Sequence, residues 1–253
     1  MKDRPNPQLV DFLRHSKQVM IFTGAGISTG SGIPDYRGPQ GVWRRRQPVY
    51  YQEFMTSDAA RIEYWDYKLE GWESFRDAQP NAVHQAIVEL ERAGKLCMVV
   101  TQNIDGLHSR AGTTDERLVE LHGSNLAVEC QSCWQRSDPE PHFASFKETG
   151  AAPVCDTCGG YLKPATISFG QSLRQAELQK ATLAAEQADL VVALGSTLSV
   201  HPAASFPLMA ANRGASYVVI NRGATDHDGD PAVSLRLDGD VVEIFPPAVQ
   251  AAL

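Results

Sequence analysis

The sequence lacks any run of apolar residues approaching the roughly 20 that a membrane-spanning helix needs. Its first residues, Met1-Lys2-Asp3-Arg4-Pro5, carry neither the apolar core of a secretory signal nor a small-residue cleavage site. The expectation is a cytoplasmic protein with no membrane partner. Basic excess is absent as well: 23 Lys and Arg stand against 30 Asp and Glu, a formal charge of −7. Such a chain has no general attraction for nucleic acid, so direct binding to it is not expected, whereas lysine-rich protein segments suit its charge. No internal repeat and no low-complexity tract is present, which excludes solenoids and disordered linkers. Cysteine is scarce, and four of the five fall in two C-x-x-C pairs. Without a secretory signal, that spacing favours a metal over disulfides. Cys97 is left over inside the apolar run 96–100 and reads as a core residue.

What is present suits a soluble enzyme. The 253 residues, 43% hydrophobic and 21% charged, can bury the core of one large α/β domain carrying a smaller lobe. Short β-branched runs predict strands over 19–23, 97–101, 190–194 and 217–220, with weaker candidates at 117–121 and 233–237. Helical patterns over 7–15, 82–92, 176–186 and 203–212 lie between them. This alternation predicts βαβ units and a parallel sheet that binds ligands at the carboxyl ends of its strands. Two stretches break it, one aromatic and helical in spacing, the other holding the cysteines. The expected fold is therefore α/β: a Rossmann-like parallel sheet built from 1–41, 80–124 and 162–253, with a helical insertion at 42–79 and a metal-binding insertion at 125–161. The two insertions together suggest a second lobe and a cleft.

The first strand runs directly into Gly24-Ala25-Gly26-Ile27-Ser28. A strand, a G-x-G turn and a helix would open a dinucleotide site, with the helix N-terminus offering free N–H groups to a pyrophosphate. The fingerprint is incomplete, because Thr29 stands where its third glycine belongs, and a purely structural turn remains an alternative. Next, Asp35, Tyr36 and Arg37 follow Pro34 on a loop whose chemistry suits closure over a ligand, though an ordinary surface turn has similar composition. Asn103 and Asp105 follow one strand, and His122 follows another. A histidine at a strand end is a natural general base near neutral pH.

In order along the chain, GAGIS with GIPDYR, TQNIDGLH at 101–108, LHGS at 121–124, GSTLSV at 195–200 and the Ile220-Asn221-Arg222 corner resemble the motifs of the sirtuin family. The match runs from about Pro7 to Glu243 and is closest to zinc-containing, bacterial-type sirtuins. It implies an NAD-dependent protein lysine deacylase of the deacetylase type, with NAD as co-substrate and an acyl-lysine protein or peptide as partner. In that reading the acyl oxygen attacks the ribose as nicotinamide leaves, His122 deprotonates a ribose hydroxyl, and O-acyl-ADP-ribose is released. Asn103 is expected to orient ribose and water, and Ile104 and Asp105 to hold the nicotinamide carboxamide. Ala25, Arg37 and Ser196 fall near the phosphates, and Asn221, Asp240 and Val241 near the adenosine. Gly24, Gly26, Ser28, Asp35, Tyr36, Trp43, Gln102, Gly195, Ser199 and Arg222 complete the implied NAD site. Phe169, Gly170, Val200 and His201 are the expected substrate-binding residues, pairing with the peptide as a strand. The family usually has Phe where Tyr36 stands, which leaves the balance between acyl transfer and NAD hydrolysis open.

Cys130, Cys133, Cys155 and Cys158 form two knuckles separated by 21 residues. Four thiolates close a tetrahedral shell and leave no position for water, so one structural zinc is expected and not a catalytic one. Family members that remove acidic acyl groups carry a Tyr-x-x-Arg pair. Here Tyr64-Trp65-Asp66-Tyr67-Lys68 has no arginine three residues after a tyrosine, so an uncharged acyl group is expected. Tyr64-Trp65 and Gly71-Trp72 instead resemble the lipoamidase-like branch, although aromatics at helical spacing also suit a lobe core. Rival readings are an ADP-ribosyltransferase or NAD hydrolase on the same scaffold, a non-enzymatic NAD-sensing module, and a hydride-transfer dehydrogenase. The intact His122 and the Phe169-Gly170 segment favour deacylation.

Overall fold

The computed structural model describes residues 5–35 and 46–253. In chain order its elements are α1 (Pro7–His15), β1 (Val19–Thr23), α2 (Tyr51–Thr56), α3 (Asp58–Asp77), α4 (Ala82–Arg92), β2 (Leu96–Thr101), α5 (Leu107–Ala111), β3 (Leu118–Glu120), β4 (Gly123–Cys130), β5 (Arg136–Ser137), α6 (Pro139–Thr149), β6 (Leu162–Thr166), α7 (Gln175–Gln187), β7 (Leu190–Leu194), α8 (Ser205–Asn212), β8 (Ser216–Asn221), β9 (Leu235–Asp238) and α9 (Val241–Ala252). The helices start where local chemistry dictates. Asn6 Oδ1 accepts from the N–H groups of Gln8 and Leu9, with Pro7 in the first helical turn. Asn81 caps α4 in the same manner at Val83, and α4 buries Val83, Ala86, Ile87 and Leu90 on one stripe. No helix among the described residues is long and apolar enough to cross a membrane.

Six strands form one sheet in the order β3-β2-β1-β7-β8-β9, every pair parallel. All five residues of β1 and of β7 are buried, because helices cover both faces. Val19 and Ile21 pack with α1, α4 and α9. Met20 and Phe22 point the other way, toward α7 and α8. The chain steps outward from β1 through β2 to β3, then returns to β7 beside β1 and proceeds through β8 to β9. The connections therefore diverge between β1 and β7, and the carboxyl ends of those two strands open a crevice.

Two expectations are corrected. No α-helix follows the glycine-rich turn among the described residues; residues 25–27 and 29–31 each make a single 3₁₀ turn, and Gly32 ends the second in the left-handed region. Ile27, fully buried, anchors the segment in the core. The second correction concerns the cysteine region, whose sequence shows little periodicity but which folds as a three-stranded antiparallel sheet, β5-β4-β6. Strand β6 begins one residue beyond the expected insertion and pairs with β4. It hides from sequence reasoning because Lys163 and Pro164 interrupt an otherwise apolar run. Lys163 is nonetheless fully buried, its ammonium donating to the carbonyls of Pro164 and Thr166, and burial pushes its pKa down to about 7.

Both insertions share one core. Phe54, Tyr64, Trp65 and Trp72 from α2 and α3 pack on Val128, Phe143, Phe146 and Leu162. Trp65 Nε1 donates to Leu162 O at 3.0 Å, and Trp72 stacks on Phe143 with ring centroids 4.5 Å apart. Trp65 and Trp72 are therefore lobe core. The two sheets meet at Gly123, whose φ is +71°, and a Cβ there would lie 2.1 Å from the backbone oxygen of Ala165. Any side chain must part β4 from β6. Gly123→Ala is expected to lower stability by about 2 kcal/mol or more, from left-handed strain plus the clash. Urea denaturation checks this, and an unchanged midpoint would contradict the packing described.

Candidate active site

The carboxyl ends of the parallel strands surround a cavity of about 1110 Å³, comparable to the larger ligand sites. Gly24, Ala25 and Gly26 line it after β1; Gln102, Asn103 and Ile104 after β2; and His122 beyond β3. Gly195 and Ser196 contribute after β7, Asn221 and Arg222 after β8, and Asp240 and Val241 where α9 begins. Asp35 also reaches the wall. The segments holding Phe169-Gly170 and Val200-His201 line the same cavity. Residues widely separated in sequence thus come together because one sheet collects all its strand ends. Tyr36, Arg37 and Trp43 lie outside the described residues.

Hydrogen bonds hold these ends together. Gln102 Nε2 donates to Ser196 Oγ at 2.9 Å, tying β2 to β7 across β1. Asn103 Nδ2 donates to Gly24 O at 3.1 Å and to Ser28 Oγ at 3.2 Å. Arg222 pairs with Asp240 at 2.7 Å, while the other oxygen of Asp240 caps α9 at Val242. Three expected residues stand behind the cavity wall. Ser28 and Asp105 are buried, and Ser28 donates to Asp105 Oδ2 at 2.7 Å. Asp105 Oδ1 accepts from Leu107 N. Burial raises the Asp105 pKa against the lowering effect of these bonds. Ser199 pairs with the Thr197 hydroxyl at 2.8 Å.

His122 has the geometry of a base. Its Nδ1 lies 3.1 Å from Gln102 O, a carbonyl that can only accept, so Nδ1 carries the proton and Nε2 keeps its lone pair. Burial lowers its pKa below the ordinary imidazole value, partly offset by the bond to Gln102. The ring is therefore neutral at physiological pH.

Tyr64, Tyr67 and Lys68 of α3, the stretch compared above with the Tyr-x-x-Arg pair, reach the cavity, as do Ser168 beside Phe169 and, missed by sequence reasoning, Thr166 and Ile167. The signal for the first group was the i, i+4 spacing of Tyr64 and Lys68, which places both on one helix face. Tyr64 meets Thr166 Oγ1 at 3.1 Å, and Lys68 donates to Asn125 Oδ1 at 3.2 Å. Burial pushes the Lys68 pKa down to about 8. A cation thus stands in the cavity wall although the Tyr-x-x-Arg pattern is absent.

Away from the cavity, the sulfurs of Cys130, Cys133, Cys155 and Cys158 lie within 4.8 Å of one another. Cys130 and Cys158 are 3.5 Å apart, and Cys133 and Cys155 3.8 Å. A zinc tetrahedron with Zn–S bonds of about 2.3 Å has edges of about 3.8 Å, so the four thiols fit one zinc ion. Backbone N–H groups of Ser132 and Cys133 already turn toward the Cys130 sulfur, as in a preformed knuckle. Four protein ligands close the shell, and the zinc is structural.

Comparison with known proteins agrees with this geometry. The Sir2 family model matches residues 24–202. An NAD-dependent protein deacetylase of Rhodopseudomonas palustris is 42% identical over 91% of each chain. NAD-dependent protein deacetylase 1 of Bradyrhizobium diazoefficiens is 42% identical over the same share. Among solved structures, a Sir2 variant with a deacetylated p53 peptide and 3′-O-acetyl ADP ribose superposes with a TM-score of 0.88 at 34% identity, covering 96% of both chains. A Sir2 complex with p53 peptide and NAD+ gives 0.85 at 34% identity over 96% of both chains.

Because the metal site shares its core with the aromatic residues of α3, losing a thiolate should unfold the lobe. Cys130→Ala is expected to abolish zinc binding and soluble expression together. Elemental analysis of purified protein decides this: folded, active protein without zinc would refute it.

Proposed function

This chain belongs to the Sir2 family, and from that premise we propose that it is an NAD-dependent protein lysine deacylase of the deacetylase type. It acts in the cytoplasm, where reduced thiols keep the zinc site intact. The observation that carries the reading is His122, neutral and with Nε2 free, in a cavity that both the NAD-type turns and the Phe169-Gly170 and Val200-His201 segments line. NAD supplies the electrophilic ribose carbon and carries the acyl group away as O-acyl-ADP-ribose; nicotinamide leaves, water is consumed and free lysine is the third product.

The protein's own part is positioning and proton transfer. Ala25, through its backbone, and Ser196 offer polar groups to the phosphates where the connections of β1 and β7 diverge. Asn221, Asp240 and Val241 bound the adenosine end. Asn103 orients ribose and water, and Ile104 contacts the carboxamide, with Asp105 supporting that loop from behind the wall. His122 Nε2 takes the proton of a ribose hydroxyl, so that the hydroxyl can attack the carbon of the former acyl carbonyl. The acyl-lysine backbone lies between the Phe169-Gly170 and Val200-His201 segments. An ADP-ribosyltransferase would use the same NAD wall, but it would not require a base in the cavity that these two segments line.

Mass spectrometry of an acetyl-lysine peptide incubated with protein and NAD tests this. Free lysine, nicotinamide and O-acetyl-ADP-ribose are expected; ADP-ribosylated peptide, or nicotinamide release independent of peptide, would overturn the reading. General-base catalysis contributes about 10²–10⁴-fold, so His122→Ala should slow deacetylation by that factor while keeping NAD affinity and some peptide-dependent nicotinamide exchange. A folded His122→Ala protein with near wild-type turnover would exclude it as the base.

The lowered pKa sets the pH dependence. The base is lost as pH falls through the His122 pKa, which lies below the ordinary 6.5. The acid limb of kcat/KM should therefore have its midpoint below 6.5, and a midpoint above that value would contradict the burial effect. Acyl choice is a separate matter. Lys68 is committed to Asn125 and partly neutral near pH 8, so acetyl-lysine should exceed succinyl-lysine in kcat/KM by at least about tenfold, on the scale of an unpaired buried charge. Equal efficiency would instead assign Lys68 to carboxylate binding.

A further inference from the structure

Four buried groups form a hydrogen-bonded chain from α5 to the backbone of Asn103. His108 Nε2 lies 3.0 Å from Thr23 Oγ1, and the Thr23 hydroxyl donates to Thr101 Oγ1 at 2.7 Å. Thr101 Oγ1 also accepts the N–H of Asn103 at 3.0 Å. All four residues are at most 6% exposed. Accepting the reading of Asn103 as the residue that orients ribose and water, we propose that His108 is a positioning residue for Asn103, acting through the hydroxyls of Thr23 and Thr101.

Proton directions make the chain one-way. Thr23 has a single hydroxyl proton, and it goes to Thr101, so Thr23 can only accept from the imidazole. His108 must then be the Nε2–H tautomer. Burial, together with the neighbouring His84 ring at a centroid distance of 5.0 Å, holds its pKa well below the ordinary value. The shift favours the neutral ring, in which Nε2 is the donor. At the far end, the chain meets Asn103 two residues past the last strand residue, Thr101, where the β2 ladder has already ended. The Thr101 hydroxyl takes over there as partner of the Asn103 N–H. The side-chain amide is anchored separately, on Gly24 O and Ser28 Oγ. Backbone and amide are thus fixed from two sides, which is how a side chain is held to one rotamer at a reacting centre.

A double-mutant cycle on the full chain, with acetyl-lysine peptide and NAD, tests the proposal. His108→Phe keeps the ring volume and removes the donor. It should lower kcat about tenfold, the order expected for one lost buried hydrogen bond, with KM for peptide little changed. In an Asn103→Ala background the same substitution should cost less than about twofold, because the residue being positioned is gone. His108→Gln, which retains a donor, should recover part of kcat. Thr23→Val cuts the chain at a second point with nearly the same shape, so it should reproduce the loss and serves if His108→Phe does not fold. Equal losses in both backgrounds, or a folded Thr23→Val with wild-type kcat, would overturn the proposal. Nitrogen NMR of the histidines reads the chain independently of any activity. A neutral Nε2–H tautomer for His108 is expected, and an Nδ1–H tautomer refutes the relay even in a protein that proves not to be a deacylase.

Discussion

The structure depends on a place where two turns touch backbone to backbone. Gly24 N donates to Leu194 O at 3.0 Å, and Gly26 N to Gly195 O at 2.8 Å, which extends the pairing of β1 with β7 past the strands themselves. A Cβ at Gly26 would lie 2.8 Å from the Cα of Gly195. No side chain fits between the turns, so glycine is required for packing there before any ligand is considered. Were the turns pushed apart, the sheet would open at the point where its connections diverge, and the cavity would lose its floor. The loops of β2 rest on this contact as well, through Gln102 on Ser196 and Asn103 on Gly24.

This contact explains an ambiguity in the sequence. A G-x-G turn read alone serves equally as a phosphate cradle or as a structural turn, and here the same glycines close the sheet and line the cavity. Where local pattern and tertiary packing agree, the sequence was legible: α1 and α4 carry clean apolar stripes behind asparagine caps, and β1 and β7 are unbroken apolar runs. It was less legible where tertiary context overrides composition. Strand β6 contains a lysine and a proline, and only the finished lobe, with backbone carbonyls ready to receive Lys163, makes it a strand. After the glycine-rich turn the chain makes two 3₁₀ turns and not a helix, which the local residues did not show.

The candidate site was legible in another way. Each motif announced itself separately, but their convergence belongs to sheet topology, which no single motif encodes. Ser28 and Asp105 illustrate the difference. The family resemblance implies that they belong to the NAD site; in the fold both are buried, and they hold Asn103 and the start of α5. The stretch of α3 was compared with an acyl-binding pair, but which of its residues face the cavity was not legible, because its aromatics serve two purposes. Trp65 and Trp72 fill the lobe, whereas Tyr64, Tyr67 and Lys68 on the same helix turn toward the cavity.

His122 stands where these two systems join. Leu121 follows β3, an edge strand of the large sheet, and Gly123 opens β4 of the small one, so His122 lies at a covalent junction between them. Its backbone oxygen accepts from Ile167 N at 2.8 Å, just past the end of β6. Its side chain is held by Gln102 O, on the large domain. Main chain and imidazole are thus fixed by different lobes. The thiolates lie at and beyond the far end of the strand that begins at Gly123, since Cys130 closes β4. The cysteine knuckles and His122 thus lie toward opposite ends of one strand, whose pairing with β6 is irregular between Gly123 and Val128. In this arrangement the small lobe, through the main chain of Ile167, and the large domain, through Gln102, together set where His122 stands in the cavity wall.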